Sequence, residues 1–170
     1  LARLLPHNIL PEAICVEPPL QQGLFTETIT IVTNEDAAEE IWGEISRRLP
    51  PSVIHLVRLS FMADRHGREL LICRYLLLAW TTGRRIGDML SHPQVAPLWK
   101  LAQQVGRDAH RYLGFVRFQE MAGGFYYAAI APDHRILQLI APHFAARFAD
   151  QQWVIHDLRH GEGVVYDRQR

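Results

Sequence analysis

A chain of 170 residues with 48% apolar and 21% charged residues has the composition of a folded protein, and its length favours one domain over two. Eighteen basic and eighteen acidic residues cancel, which counts against tight binding of duplex DNA, and two distant cysteines, Cys15 and Cys73, exclude a disulfide framework, a zinc site and an iron–sulfur cluster built on cysteines. The longest apolar run, Leu70 to Trp80, is broken by Arg74 and falls short of the roughly 20 residues that a membrane crossing requires.

Residues 1–24 hold four of the ten prolines and no sustained period, so they read as an extended arm lying against something else. No export signal is recognisable, Leu1 points to trimming upstream, and a reducing cytoplasmic setting is expected. Residues 25–113 are expected to be mainly helical. They open with a half-buried strand from Thr26 to Val32, where threonines alternate with Ile29 and Ile31. Asn34 can then cap a helix with Glu35 and Asp36 in its first turn, Arg47 and Arg48 in its last, and Pro50-Pro51 as its stop. Ala38, Ile41, Trp42, Ile45 and Leu49 form its apolar stripe. Two further helices, over about 52–62 and 67–82, are richer in apolar residues, and Gly83 is placed to terminate the second.

Charge is unevenly distributed along the chain. Residues 1–56 carry three basic and eight acidic groups, a net −5; residues 57–119 carry ten and four, a net +6; residues 120–170 carry five and six, a net −1. Of the eighteen basic residues only Lys100 is lysine, and the planar guanidinium suits phosphate and base-edge contacts. The amphipathic helix at 97–113 lies in the positive segment. At 100° per residue, Lys100, Arg107 and Arg111 fall within about 40° of one another, with Gln103 and Gln104 beside them, opposite the apolar Leu98, Ala102, Val105, Ala109 and Tyr112. Such a stripe matches a phosphate backbone.

Residues 114–170 read as a strand, helix and strand module. Phe115 to Met121, an Ala-Gly-Gly turn and Phe125 to Ala131 form a hairpin; Pro132-Asp133 opens a helix, with Asp133 as its N-cap and Pro142 restarting or kinking it; Trp153 to Leu158 and Gly163 to Asp167 form a second hairpin around Gly161. The expected fold is therefore α+β, an antiparallel sheet of short strands packed against several helices.

His110-Arg111, Gly114-Phe115-Val116-Arg117-Phe118, Tyr127-Ala128, Pro132-Asp133-His134, Pro142-His143-Phe144, Arg147-Phe148 and Trp153-Val154-Ile155-His156-Asp157 make a nearly continuous string. With the elements at 26–49 and 97–112, it resembles a bacterial family labelled as DNA metabolism or DNA repair proteins. In that family the gene neighbours one for a radical-SAM protein, and some members are fused to a uracil-DNA-glycosylase-like domain. The resemblance implies a DNA-handling accessory role with such a partner, and an N-terminal strand and helix that are missing here or divergent. His160 departs from the family pattern, where a second basic residue follows Arg159, and Glu162-Gly163 replaces a more apolar pair.

Candidate catalytic residues are His134, His143, His156 and Asp157, each of which also has a structural reading as a core or capping group. His156 and Asp157 cannot form a simple dyad, because neighbours on a strand face opposite ways. His143 and Arg147, four apart on a helix, share a face and could grip an anion. Arg117 is expected mid-strand, sharing a face with Gln119, Tyr126 and Ile130, and a mid-strand arginine needs a carboxylate or phosphate partner. Phe115, Phe118, Tyr126, Tyr127 and Trp153 could stack on unpaired bases, Tyr126 foremost. The nucleic-acid-binding set is thus Lys100, Arg107, Arg111, Arg117, Tyr126, Arg147 and Arg159. No metal or cofactor frame is recognisable. Two other readings stay open: an enzyme acting on a nucleotide or modified base in which His134, His143, His156 and Arg117 converge, and a protein-interaction subunit.

Overall fold

In a computed structural model, which describes residues 10–15 and 27–168, five helices and a four-stranded sheet form an α+β fold. The described residues gather into two compact units. One takes the chain up to Val57 together with His66–Leu98; the other takes Arg58–Arg65 with the chain from Trp99 onward. Most of the expected arm lies outside the described residues.

The first unit is helical. Helix α1 spans Glu35–Arg48, and the Asn34 side chain accepts a hydrogen bond from the Ala37 amide at 2.9 Å, so one of the orphan donors at the helix start is satisfied as the sequence predicts. Asn34→Ala is expected to lower stability by about 1 kcal/mol, read from the urea midpoint. Ile45 and Leu49 are buried on its inner stripe, Ile41 and Trp42 are half-buried, and Ala38 is exposed. Helices α2 (Pro51–Phe61) and α3 (Arg68–Thr82) match the two predicted apolar helices, and Gly83 ends α3 with φ +59°, which a residue with a Cβ adopts only under strain. Val53, Val57, Tyr75, Leu76, Ala79, Ile86 and Val95 join Ile45 and Leu49 in its core. The Arg74 guanidinium clamps the described part of the arm, donating from Nη2 to the Pro11 carbonyl at 2.9 Å. The expected strand at 26–32 is not formed: residues 27–34 have no regular structure, Ile31 and Val32 are 61% and 84% exposed, and Thr26 lies outside the described residues. Alternation alone does not make a strand without a neighbour to pair with.

The second unit holds the sheet and the greater part of helix α4 (Ala96–Phe115). Strands β1 (Gln119–Met121), β2 (Phe125–Ile130), β3 (Trp153–Asp157) and β4 (Glu162–Tyr166) lie in the order β1-β2-β3-β4. Both predicted hairpins are present and antiparallel. The central β2–β3 pairing is parallel, and helix α5 (Leu137–Arg147) makes the crossover that a parallel pair requires. The sheet is thus mostly antiparallel but mixed. Helix α5 begins at Leu137 rather than at Asp133, and it runs through Pro142 without restarting.

One face of the sheet is buried. Ala128, Ile130, Trp153 and Ile155 point to it, and Phe118 packs edge-on against Phe144 and Phe148 with ring centroids 5.5 and 5.4 Å apart. Trp153 stacks on Tyr166 at 5.2 Å. The opposite face carries Tyr127, His156 and Val165, which is 72% exposed. No helix among the described residues is long and apolar enough to cross a membrane.

Candidate functional site

Helix α4 presents the predicted stripe: Leu101, Ala102, Val105 and Ala109 are buried, while Lys100, Gln104, Arg107 and Arg111 are exposed on the other side. Asp108 interrupts the apolar face. Its buried carboxylate accepts from Arg111 Nη2 at 2.7 Å through Oδ1 and from the His134 backbone amide at 3.1 Å through Oδ2. One acid therefore orients an arginine on the helix and fixes the loop that enters α5.

That loop, 131–136, brings His134 against the segment after α2. The Asp64 amide donates to His134 Nδ1 at 3.3 Å, and the Arg135 amide donates to the Met62 carbonyl at 3.0 Å. Behind it sits a buried pair. Asp157, at the end of β3, accepts from the amides of Arg159 and His160 at 3.0 and 3.2 Å through Oδ1, and its Oδ2 lies 2.6 Å from His160 Nδ1. This is the turn an aspartate makes with backbone groups two and three residues on, closed by Gly161 at φ +66°. The His160 side chain is 3% exposed, and its Nε2 faces Asp64 Oδ2 at 3.6 Å. Two exposed ion pairs tie the loop to the second hairpin: Arg159 Nη1 to Asp133 Oδ1 at 2.6 Å, and Arg135 to Glu162.

Gln104, Arg107, Asp108, Arg111, Asp133 and His134 line an open cleft of about 430 Å³. The cleft thus joins Arg107 and Arg111 to His134, one of the four catalytic candidates. The structure places the other candidates elsewhere. His156 is on the opposite sheet face from Asp157, as strand alternation requires, with its Nδ1 3.0 Å from the Tyr127 hydroxyl. His143 is exposed on α5, edge-on to Phe144, and Arg147 lies over the Phe148 ring on the same helix. Asp157 is wholly buried. Arg159 is held at the cleft rim by Asp133, which caps no helix.

Arg117 is not mid-strand. Helix α4 continues to Phe115 and β1 starts only at Gln119, so Arg117 sits in the connection and donates to the Gly114 and Val116 carbonyls at 2.7 and 3.1 Å. A cation is favourable at the end of a helix, where carbonyls lack partners. A two-residue turn in this hairpin would set Glu120 opposite Tyr127, and the observed register differs from that expectation by one residue. Three residues, Ala122 to Gly124, form the turn, with φ +108° and +77° at the two glycines. Gln119 therefore opposes Tyr127 and Glu120 opposes Tyr126. Tyr126 shares the face of buried Ala128 and Trp153, and Tyr127 takes the open face. Phe118 and Trp153 belong to the aromatic core and Phe115 is exposed at the end of α4.

Asp64 and His160 were not among the predicted site residues. An Asp-x-x-His run ending at a glycine was the signal for His160; Asp64 lies in a loop with no motif of its own.

The hydrogen bond from Arg111 to Asp108, with the charge of that acid, holds the guanidinium above its ordinary pKa. Burial pushes the Tyr112 phenol up; the negative charge of Asp108 adds to this, and a hydrogen bond with the Ala131 backbone opposes it. An unfolded tyrosine ionises near pH 10, so Tyr112 contributes stability that is complete below about pH 10 and is lost as pH rises through the folded value. Tyr112→Phe is expected to flatten the alkaline fall in stability followed by urea unfolding; an unchanged profile would contradict this assignment.

Among the described residues no group of three or more histidine, cysteine or acidic side chains is placed to hold a metal ion. Residues 66–170 match the model of a family described as a domain of unknown function, DUF4130. No curated protein and no solved structure matches the chain.

Proposed function

We propose, for a chain that belongs to the DUF4130 family, a role as a nucleic-acid-binding accessory protein of DNA metabolism or repair. The observation that carries it is the cleft in which Arg107 and Arg111 of α4 meet His134 and Gln104, with Lys100 further along the same helix face. Guanidinium groups on one accessible surface, and a side-chain amide beside them, are the donors that phosphate oxygens accept from. The reading extends to a cytoplasmic setting and to a radical-SAM protein or a uracil-DNA-glycosylase-like domain as partner, both resting on the resemblance of the string from His110 to Asp157. Overall neutrality fits an accessory that engages a short stretch of strand beside a partner better than a high-affinity duplex binder.

Fluorescence anisotropy with a labelled single-stranded oligonucleotide tests this. Binding at low salt is expected, weakened about tenfold in the Arg107→Ala, Arg111→Ala double variant, since each charged hydrogen bond contributes about 1.5–3 kcal/mol when made and less when solvent-exposed. No binding at low salt removes the proposal.

A second reading, an enzyme acting on a nucleotide or modified base, is favoured by one observation: His134 shares the cleft with both arginines. Turnover of a nucleotide that is lost in His134→Ala would move the account to this reading.

A further inference from the structure

We propose that the cleft is a subsite for one nucleotide carrying a terminal phosphate monoester, with the Nε2–H of His134 as a donor to that phosphate beside Arg107 and Arg111. This rests on the nucleic-acid reading of the same cleft and narrows it to a chain end or a free nucleotide.

The state of the imidazole follows from its partner. A backbone amide only donates, so the His134 Nδ1 that accepts from the Asp64 amide is the unprotonated nitrogen of the neutral ring. The proton is on Nε2. His134 therefore offers a bound ligand a hydrogen rather than a lone pair, which suits an anion and not a metal or a proton to be abstracted. The Asp64 amide holds the ring, and the groups around it are held in turn. The His134 amide is fixed on buried Asp108, and the Asp64 carboxylate stands 3.6 Å from His160 Nε2, with His160 fixed in turn on buried Asp157. Asp64, His160 and Asp157 are positioning residues for this donor.

The cleft wall is mixed in charge. Arg107, Arg111, Gln104 and His134 supply donors, and Asp108 and Asp133 supply carboxylates. Asp108 and Asp133 are each paired with an arginine, so the donors that Gln104, Arg107, Arg111 and His134 gather at one place suit a single phosphate with its sugar. Oδ1 of Asp133 is engaged by Arg159, which leaves Oδ2 to accept from a sugar hydroxyl. A terminal monoester has three free oxygens and close to two charges at neutral pH, against two oxygens and one charge for an internal diester. A cleft of about 430 Å³ lies within the size range of small-ligand sites.

The test compares labelled single-stranded oligonucleotides of one sequence bearing a 5′-phosphate, a 3′-phosphate or hydroxyls at both ends, with a mononucleotide and inorganic phosphate as competitors. One terminal phosphate is expected to tighten binding about tenfold at fixed salt. His134→Ala is expected to lose that preference, and His134→Gln, which keeps an N–H donor, to retain part of it. Nitrogen-15 NMR of the wild-type imidazoles, which needs no variant to fold, is expected to show His134 protonated at Nε2. Protonation at Nδ1 overturns the proposal, and so does equal affinity for all three ends. If the ends are equal but Arg107→Ala, Arg111→Ala still weakens binding, the subsite fails and nucleic-acid binding stands. If a mononucleotide binds and no oligonucleotide does, the subsite stands and the polymer reading fails.

Discussion

Asp157→Ala is expected to lower the free energy of unfolding by about 3–5 kcal/mol and the melting temperature by on the order of 10 °C. The carboxylate has no exposure to water and accepts from two backbone amides and one imidazole nitrogen. Removing it leaves the Arg159 and His160 amides and the imidazole with no acceptor in a place water does not reach, and each stranded group costs about 1–3 kcal/mol. It also unpins the turn between β3 and β4. Asp157→Asn keeps an acceptor for both amides and is expected to lose less, about 1–2 kcal/mol. Urea unfolding of both variants decides: an alanine variant within about 1 kcal/mol of wild type would mean that this turn holds itself without its aspartate.

The second large effect is expected at Asp108. Its carboxylate ties Arg111 to the His134 loop across 26 residues of sequence, so Asp108→Ala removes an orienting partner from a cleft arginine and an acceptor from a loop amide together. Arg111 is largely exposed and recovers its lost bond in water; the His134 amide does not, and the buried carboxylate leaves a void where it stood. A loss of about 2–3 kcal/mol follows, mainly from the stranded amide and the void. The amide resonance of His134 should move and exchange faster with solvent, while Asp108→Asn keeps an acceptor there and limits both changes. Equal stability of the alanine and asparagine variants would show that the loop is held by its other contacts, such as the Arg135 amide on the Met62 carbonyl.

Local signals were the legible part of this fold. Asn34, the acidic first turn, the basic last turn and Pro50 sit within one or two turns of the helix they bound, and α1 forms between them. The stripe of α4 was readable because helical spacing alone puts Lys100, Arg107 and Arg111 on one side. Errors arose where a local pattern needed a distant partner or a loop count. Gly114 reads as a stop, yet α4 runs past it by a residue, and that short extension moves Arg117 from a strand to a helix end. Ile29 and Ile31 alternate as a strand would, but pairing is a tertiary event and none occurs there among the described residues. One residue in the Ala122–Gly124 turn exchanged the roles of Tyr126 and Tyr127. The parallel β2–β3 pairing has no local signature, because it is made by the crossover through α5.

The candidate site shows the same division. Helical phase alone puts Arg107 and Arg111 on one side of α4, and they line the cleft. Its other wall comes from Asp133 and His134 before α5, and the residues that hold His134 are far apart in sequence: Asp64 after α2 and His160 after β3. Their sequence separations give no clue to proximity. Asp108 was hidden because it sits on the apolar side of its own helix, where a pattern of buried residues absorbs it.

The salt dependence of single-stranded DNA binding tests the central claim most directly, measured side by side for the wild type and the Arg107→Ala, Arg111→Ala variant. Each phosphate contact contributes a slope of about −0.7 in log affinity against log salt concentration for a single strand. Arg107 should contribute in full and Arg111, already paired with Asp108, in part, so the variant's slope is expected to be shallower by roughly 0.7–1.4. A variant with the wild-type slope and affinity would mean that this helix face does not touch the phosphates.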